Sequence, residues 1–360
     1  MTSSEGLDPV ATGSTGHRPA VARSRRAWLK PLLLFGLSVV IAWIVVGFVG
    51  AIDWGEVVDS FRRLSIASIV ALLLGLMARQ AFNAVPLARF VDGLSWRRSV
   101  QNDLGANVVG TFAPPPSDVV LRVSMFSSWG INPVDGMAGV TLNMLTFYAV
   151  RFCAPLLGVL VLSGQGVERG QLVSAGLSGL VAVAVIGGLI AVMRGDAVAA
   201  WAGRAAARVV NRVREGVDAE AWALAVVDFR GRMNETVRSG LVPSMLALVA
   251  MVLSDSLILL MALRFVGVGP EQLSTVDIIG GFLIAYPLTL MPLAGLGVLD
   301  AALLAAFTEI AGLPWEAEIV AALVVWRTIT IGGPLALGAL TLAWWRRTSR
   351  AAGLDEPAAV

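Results

Sequence analysis

Charged residues stand inside segments that are otherwise apolar enough to lie in a membrane. Asp118 and Arg122 are four residues apart, so a helix carrying both puts them on one face. Asp103 and Asn107 repeat that spacing just upstream. Asp300 follows Gly295 and Gly297, and Arg327 sits eight residues into the last apolar run. Asp255 lies deep in "LSDSLILL", and Arg151 shares a helix face with Asn143, eight residues before it. Charges at such depth are expensive and mark contact with a substrate or lipid headgroup by default. The chemistry they offer is recognition, through charge-assisted hydrogen bonds to phosphate or a second anionic group. Other chemistry lacks its residues. The single histidine, His17, falls in a polar N-terminal stretch, and the single cysteine, Cys153, has no partner for a disulfide or a metal. There is no GxxxxGK[ST] run, so ATP use by this chain is not expected. No catalytic residue, metal or cofactor is assigned.

The elements that hold these residues follow from composition. The 360 residues are 57% hydrophobic and 14% charged, against about 25% charged in a soluble domain. Mean hydropathy is +0.78. This is the composition of a multi-pass membrane protein. Residues 1–30 read as a disordered basic tail, and 348–360 as a C-terminal tail. The run Pro31–Ile52 is 22 residues, the length of an uncleaved first span. Further full-length runs are Ser65–Leu87, Val134–Leu162, Gln171–Met193, Ser239–Phe265 and Ile319–Trp344. The expected fold is all-α, a transmembrane bundle over 31–347 with about six full spans.

Two apolar regions do not fit as spans. Regions 99–131 and 277–312 each divide into limbs of roughly 14–16 residues, about 21–24 Å of helix apiece. "APPP" breaks the first and "MPLAGLG" the second. Arginines sit in the tail, at 89–98, in the loop 194–238 and at Arg346–Arg350, which puts those segments on the cytoplasmic side. That assignment works only if 99–131 begins and ends inside and 277–312 begins and ends outside. Both then read as re-entrant helical hairpins of opposite orientation; the alternative is a kinked full span. Pro114, Pro115, Pro116 and Ser117 form one tip, and Gly295 and Gly297 the other. Broken backbone at membrane depth needs protein or a water-filled cavity around it, and such paired breaks point to a transport site. Ser117 is placed to cap the limb that carries Asp118, and Asp300 opens the corresponding limb of the second hairpin. Both helix N-termini then point their positive ends inward, which suits an anionic headgroup.

Each deep charge has a plainer reading. Asp118 and Asp300 could be helix caps, Arg122 could pair with Asp118, and Arg327 with Asp300. Asp255 could make a polar helix–helix contact, and Arg79 is expected to snorkel toward the cytoplasmic face. The loop 194–238 has eight arginines and six acids. Val209, Val213, Val217, Leu224 and Val227 have roughly helical spacing there, which reads as amphipathic helices on the inner leaflet. Nothing in the balance suggests nucleic acid.

The segments "NVVGTFAPPPSDVVLRVSMFSSWGINPVDGMAGVTLNML" and "YPLTLMPLAGLGVLDAALLAAFTEIAGLPWEAEIVAALVVWRTITIGGPLALGAL" resemble the transmembrane region of lysylphosphatidylglycerol synthases and their stand-alone flippase-like relatives. The resemblance spans roughly 30–347. The family's acid and arginine beside a proline-rich tip correspond to Asp118 and Arg122, with a spacing of four instead of three and Ser117 where glycine is usual. Its "PGGLGVxE" signature corresponds to Pro292, Ala294, Gly295, Leu296, Gly297, Val298 and Asp300, and its arginine in the last helix to Arg327. The resemblance implies movement of a phospholipid or related amphiphile between leaflets of the cell membrane. The longest hydrophilic stretch, 194–238, is far below an ordinary domain of about 100–150 residues, so no aminoacyl transfer is expected from this chain.

Three functions compete: a lipid flippase-like transporter, an intramembrane transferase on lipid-linked substrates with Asp118 or Asp300 as base, and an accessory partner of a separate synthase. Membrane lipids are the expected ligands of Asp118, Arg122, Asn107, Asp300, Arg327, Asp255 and Arg151, and a homo-oligomer or a synthase is the expected protein partner. The charge pattern is tested by topology. Cysteines placed at Gly166, Gly269 and Trp315 in a Cys153→Ser background should react with an impermeant thiol reagent added outside. Outside labelling of a cysteine at Ala205 would overturn the assignment.

Overall fold

A computed structural model describes residues 64–114, 116–164, 169–211 and 218–351. The expected tail 1–30, the run Pro31–Ile52, the link Asp53–Arg63, Pro115 and most of 348–360 lie outside the described residues. So do Val213 and Val217 of the proposed amphipathic loop. The described chain is helical almost throughout and has no strand. Its helices are α1 (Ile66–Asn83), α2 (Val85–Phe90), α3 (Trp96–Phe112), α4 (Ser117–Ser128), α5 (Pro133–Leu162), α6 (Arg169–Arg194), α7 (Asp196–Asn211), α8 (Ala219–Val266), α9 (Thr275–Ala285), α10 (Pro292–Gly295), α11 (Val298–Ala311), α12 (Glu316–Arg327) and α13 (Gly333–Ala351). Five stretches are long and apolar enough to cross a membrane: Ile66–Phe90, Pro133–Leu162, Arg169–Val192, Gly240–Val266 and Leu313–Thr348. They coincide with the five expected spans that fall among the described residues.

Local chemistry sets the boundaries. Ser65, Ser95, Asn132 and Ser274 each accept a hydrogen bond from a backbone N–H in the first turn they cap, and Pro133 takes the first position of α5. Gly267, at φ 113°, ends α8 in the left-handed region that glycine tolerates. Pro86 interrupts the first span at Ala84, and the buried Ser99 hydroxyl donates to the Ala84 carbonyl at 2.6 Å. Trp96 Nε1 donates to the Ala81 carbonyl at 3.0 Å. The start of α3 is thus fastened to the kink between α1 and α2.

The core forms around the inner half of α8, where Leu248, Ile258, Leu259, Ala262 and Leu263 are fully buried. Phe282 packs edge-on to Trp326, with ring centroids 5.7 Å apart, and joins α9 to α12. Small residues let helices approach closely, as expected where lipid gives no hydrophobic drive to association. A Cβ at Gly338 would run into the Leu104 carbonyl oxygen and Val108, and one at Gly158 would sit 2.9 Å from the Gly280 carbonyl oxygen.

The two broken segments fold back on themselves at opposite ends of the last long helix. Trp345 Nε1 donates to the Ser128 hydroxyl at 3.1 Å, and Gly105 abuts Leu342, so the base of the α3–α4 pair lies by the C-terminal end of α13. Gly281 faces Phe307 across α9 and α11, and α11 leads through Gly312 directly into the start of that helix.

Within the loop 194–238, α7 and the start of α8 pack on each other. Ala199, Gly203 and Ala207, four residues apart, form a narrow seam, and Gly203 touches the backbone of Trp222 and Ala223. Arg204 pairs with Glu220 at 3.0 Å and Arg230 with Asp196 at 2.6 Å, which fixes an antiparallel register. The Arg204 hydrogen bond holds the exposed Glu220 carboxyl below the usual carboxylate range. Large apolar side chains stay exposed on both helices beside this seam, among them Trp201 of α7 and Leu224 of α8.

Replacing Gly338 with leucine should drive α13 away from α3. Overpacking of this kind costs about 1–3 kcal/mol. The purified protein should melt several degrees lower, whereas Gly187→Ala, with nothing within 4 Å of the new methyl, should leave the midpoint unchanged.

Candidate functional site

At the first break, Ala113 is extended and α4 starts at Ser117. Ser117 does not cap α4 through its side chain. Its hydroxyl turns back and donates to the Pro114 carbonyl at 2.5 Å, while the Pro116 carbonyl accepts from the Val119 and Val120 N–H groups. The proline run explains this, since its carbonyls have no proline N–H to pair with. Gly110 of α3 leaves room for the Asp118 side chain of α4; a methyl there would meet Asp118 Cβ at 3.5 Å.

Arg122 does not pair with Asp118. Its Nη1 donates to Asn102 Oδ1 at 2.6 Å and its Nη2 to Asp103 Oδ1 at 3.2 Å, both on α3. Antiparallel packing of the limbs sets these two acceptors opposite the guanidinium fork, and two charge-assisted bonds outweigh one contact within a helix. Asp103 Oδ2 also accepts from Asn83 Nδ2 of α1.

Arg79 does not snorkel. Its Nε lies 3.2 Å from Asp255 Oδ2 on α8, and its Nη1 donates to Gln80 Oε1 at 2.7 Å. Asp255 Oδ1 accepts from Trp326 Nε1 at 3.1 Å. A buried carboxylate across the helix interface holds the cation better than a distant surface does, and the contact joins α1, α8 and α12.

At the second break, α9 passes through a 3-10 stretch, Tyr286–Leu290, and the short α10 before α11 begins. Ala294 lies at φ 56°, a conformation that costs an L-residue roughly 1–2 kcal/mol. Gly295 and Gly297 share the positive-φ region without that cost. Asp300 caps α11 by accepting from the Gly297 N–H at 2.7 Å, and it also pairs with Arg327 Nε at 2.6 Å. Capping and ion pairing, weighed as alternatives, occur together. Arg327 further donates to the Ala294 and Gly295 carbonyls at 3.1 and 3.4 Å, and stacks over Trp326 at 4.4 Å.

Just past Arg327 the helix widens into a π turn, Thr328–Gly332, where the Gly333 N–H reaches both Ile329 and Thr328 carbonyls. Pro334 supplies no N–H to the turn before it, which favours the wider winding. The "TITIGGP" run carried that signal.

These parts surround one cavity of about 560 Å³. Its walls carry Arg79, Gln80 and Asn83 of α1, Asp103 and Asn107 of α3, Asp118 and Arg122 of α4, Phe147 of α5, Met251 of α8, Ala294 of the second break, and Thr330 of the π turn. Of the site residues expected from sequence, Asn107, Asp118 and Arg122 face it. Asp255 stands behind Arg79, and Asp300 and Arg327 stand behind Ala294. Arg151 is set one helical turn from Phe147 on α5, its guanidinium 4.5 Å from that ring and 5.7 Å from Tyr148. Arg79, Gln80, Asn83 and Thr330 are additions that periodicity did not single out. Among the described residues Asp118 has no hydrogen bond or ion pair.

The family model described as Lysylphosphatidylglycerol synthase TM region matches residues 31–338. No curated protein matches the chain.

The Asp300–Arg327 contact is open to a double-mutant cycle. Asp300→Ala or Arg327→Ala alone strands a partly buried charge, a loss of about 3–5 kcal/mol. The double variant should recover part of that loss in thermal melting. Purely additive losses would show that the two residues act separately.

Proposed function

The chain belongs to the lysylphosphatidylglycerol synthase TM-region family and is an integral membrane protein, and on that footing we propose that it moves a phospholipid between leaflets by passing the headgroup through the polar cavity. One observation carries the proposal: both helix breaks reach a single cavity, with Asp118 and Ala294 both in its wall. In this reading 99–131 and 277–312 are re-entrant hairpins whose tips meet near mid-membrane. Their bases at opposite ends of the last long helix support it. The end that carries Arg89, Arg97, Arg98, Arg346 and Arg347 faces the cytoplasm, and the end with Glu271, Asp277, Glu316 and Glu318 faces outward. Both termini are then cytoplasmic, in the cell membrane.

Charge at the cavity selects the headgroup. Arg122 is matched by Asp103 and Arg79 by Asp255, which leaves Asp118 as the excess charge. A wholly anionic headgroup would meet that carboxylate unfavourably. The fitting ligand is a phospholipid whose headgroup also bears an ammonium, with Asp118 accepting from the amine. Asp118 is half-exposed at the cavity wall, so its carboxylate is open to accept from such an amine.

Vesicles reconstituted with the full chain and containing acyl-chain NBD-labelled phosphatidylethanolamine or phosphatidylglycerol test this by protection from dithionite. The wild type should move the ethanolamine lipid faster. Asp118→Asn should slow that lipid roughly tenfold, about 1.4 kcal/mol, and change the glycerol lipid little. Replacing Pro114–Pro116 with alanines removes residues that each cost about 3 kcal/mol in a helix interior, so α3 and α4 should tend to fuse and both lipids should slow. No movement above protein-free vesicles would overturn the reading, and equal losses for both lipids in Asp118→Asn would overturn the role of the amine.

A further inference from the structure

Arg151 is a second group that the fold leaves unmatched. It lies 18 residues into the 30-residue α5, and about 16 Å of helix separates it from the nearer end. No acidic side chain pairs with it among the described residues. Its guanidinium rests over Phe147 and Tyr148, and its Nε is enclosed without a hydrogen-bond partner. Its helix α5 also packs on the stretch Tyr286–Leu290 of the second broken segment. The other deep arginines, Arg79, Arg122 and Arg327, are each held by an aspartate. Aromatic rings stabilise a desolvated cation by about 2 kcal/mol or somewhat more, against several kcal/mol that a charge loses on leaving water.

Its position gives that cation a use. Phe147, whose ring it covers, is a wall of the polar cavity, and Tyr286 begins the 3-10 stretch of the second broken segment. Arg151 therefore stands one ring behind the cavity and beside the element that breaks. The Phe147 ring is therefore in contact with both the guanidinium and the cavity.

We propose that Arg151 is an anion subsite of this cavity, one that takes a phosphate group admitted past Phe147. The assignment rests on the cavity being a headgroup site. It divides the headgroup chemically: the amine goes to Asp118 and the phosphate to Arg151, whose planar fork suits two phosphate oxygens at once. The cation–π contact with Phe147 stores the guanidinium in the unloaded state, and phosphate replaces the ring as its partner.

The fold and the ligand make opposite demands on this residue, which makes the test sharp. The full chain in an uncharged maltoside detergent is melted alone, with short-chain phosphatidylethanolamine, with inorganic phosphate, and with a short-chain diacylglycerol that has no phosphate. The wild type should be stabilised by the phospholipid and not by the diacylglycerol. R151Q removes an unpaired cation, so without ligand it should melt a few degrees higher. Its apparent affinity for the phospholipid should fall tenfold or more, as expected for loss of a charge-assisted contact. R151K keeps the charge without the fork and should fall between. Stabilisation by inorganic phosphate that needs Arg151 would support the subsite with free phosphate as its source. R151Q that melts lower or fails to fold would overturn the proposal in favour of a structural role over the two rings, and so would unchanged affinity. A wild type indifferent to every phosphate compound would overturn it too. Arg151-dependent binding in a protein that moves no lipid in vesicles would leave the subsite standing and remove only the transport reading.

Discussion

A helix that stops inside an apolar bundle strands carbonyl and N–H groups where no water can reach them, and the rest of this structure answers to that constraint. At the first break Ser117 turns its hydroxyl to a proline carbonyl. At the second, Arg327 reaches two carbonyls of the turn, and Asp300 takes the N–H that opens α11. The second solution brings in charges, and a charge in the bundle needs its own partner. Pairs across helix interfaces therefore spread through the site: Arg327 with Asp300, Arg79 with Asp255, Arg122 with Asp103. Such pairs add little net stability, because desolvation offsets most of the attraction, but they cost several kcal/mol when half-removed. Their effect is to fix which helices meet. Asp118 and Arg151 are the two deep charges of the site that this scheme leaves without an ionic partner.

The spans were legible because an apolar run of about 20 residues has few other meanings. The two breaks were legible for the complementary reason, since three prolines or a glycine-rich turn cannot continue a helix. The partners of the charges were not. Spacing along one helix put Arg122 with Asp118, but the decisive acceptors, Asn102 and Asp103, lie on the neighbouring limb and depend on how tightly α3 and α4 approach. Arg79 reads as a snorkelling residue because it lies near the cytoplasmic end of its span; its acid is Asp255, more than 170 positions away in the chain. Asp300 and Arg327 could be matched in advance because an arginine that deep in an apolar run needs an acid, and Asp300 is an acid in an apolar segment of the same half of the chain. The pairing of α7 with α8 depends on Ala199, Gly203 and Ala207, small residues that weaken an amphipathic pattern while permitting contact.

Cavity and breaks are parts of one device. The π turn at Thr328–Gly332, the strained Ala294 and the first turn of α4 at Asp118 come together around the same space, and each stands where a helix is opened or disturbed. Irregular backbone concentrates where a ligand is to be met, because a continuous helix presents only side chains, whereas a broken one also presents its ends. The same irregular residues gather elements from both halves of the chain, so the electrostatic balance of the cavity is a property of the assembled bundle that no single segment carries.

Helix α8 runs 48 residues without interruption, about 72 Å, more than twice the thickness of a bilayer core. Pro243 lies inside it, where a missing backbone bond makes bending easiest. Asp255 is about 18 Å along the rod on one side of that proline and Ala219 about 36 Å on the other, by the rise of 1.5 Å per residue. A joint at that point uncouples the two arms, so the α7–α8 stem can swing while the stretch that carries Asp255 stays packed in the bundle.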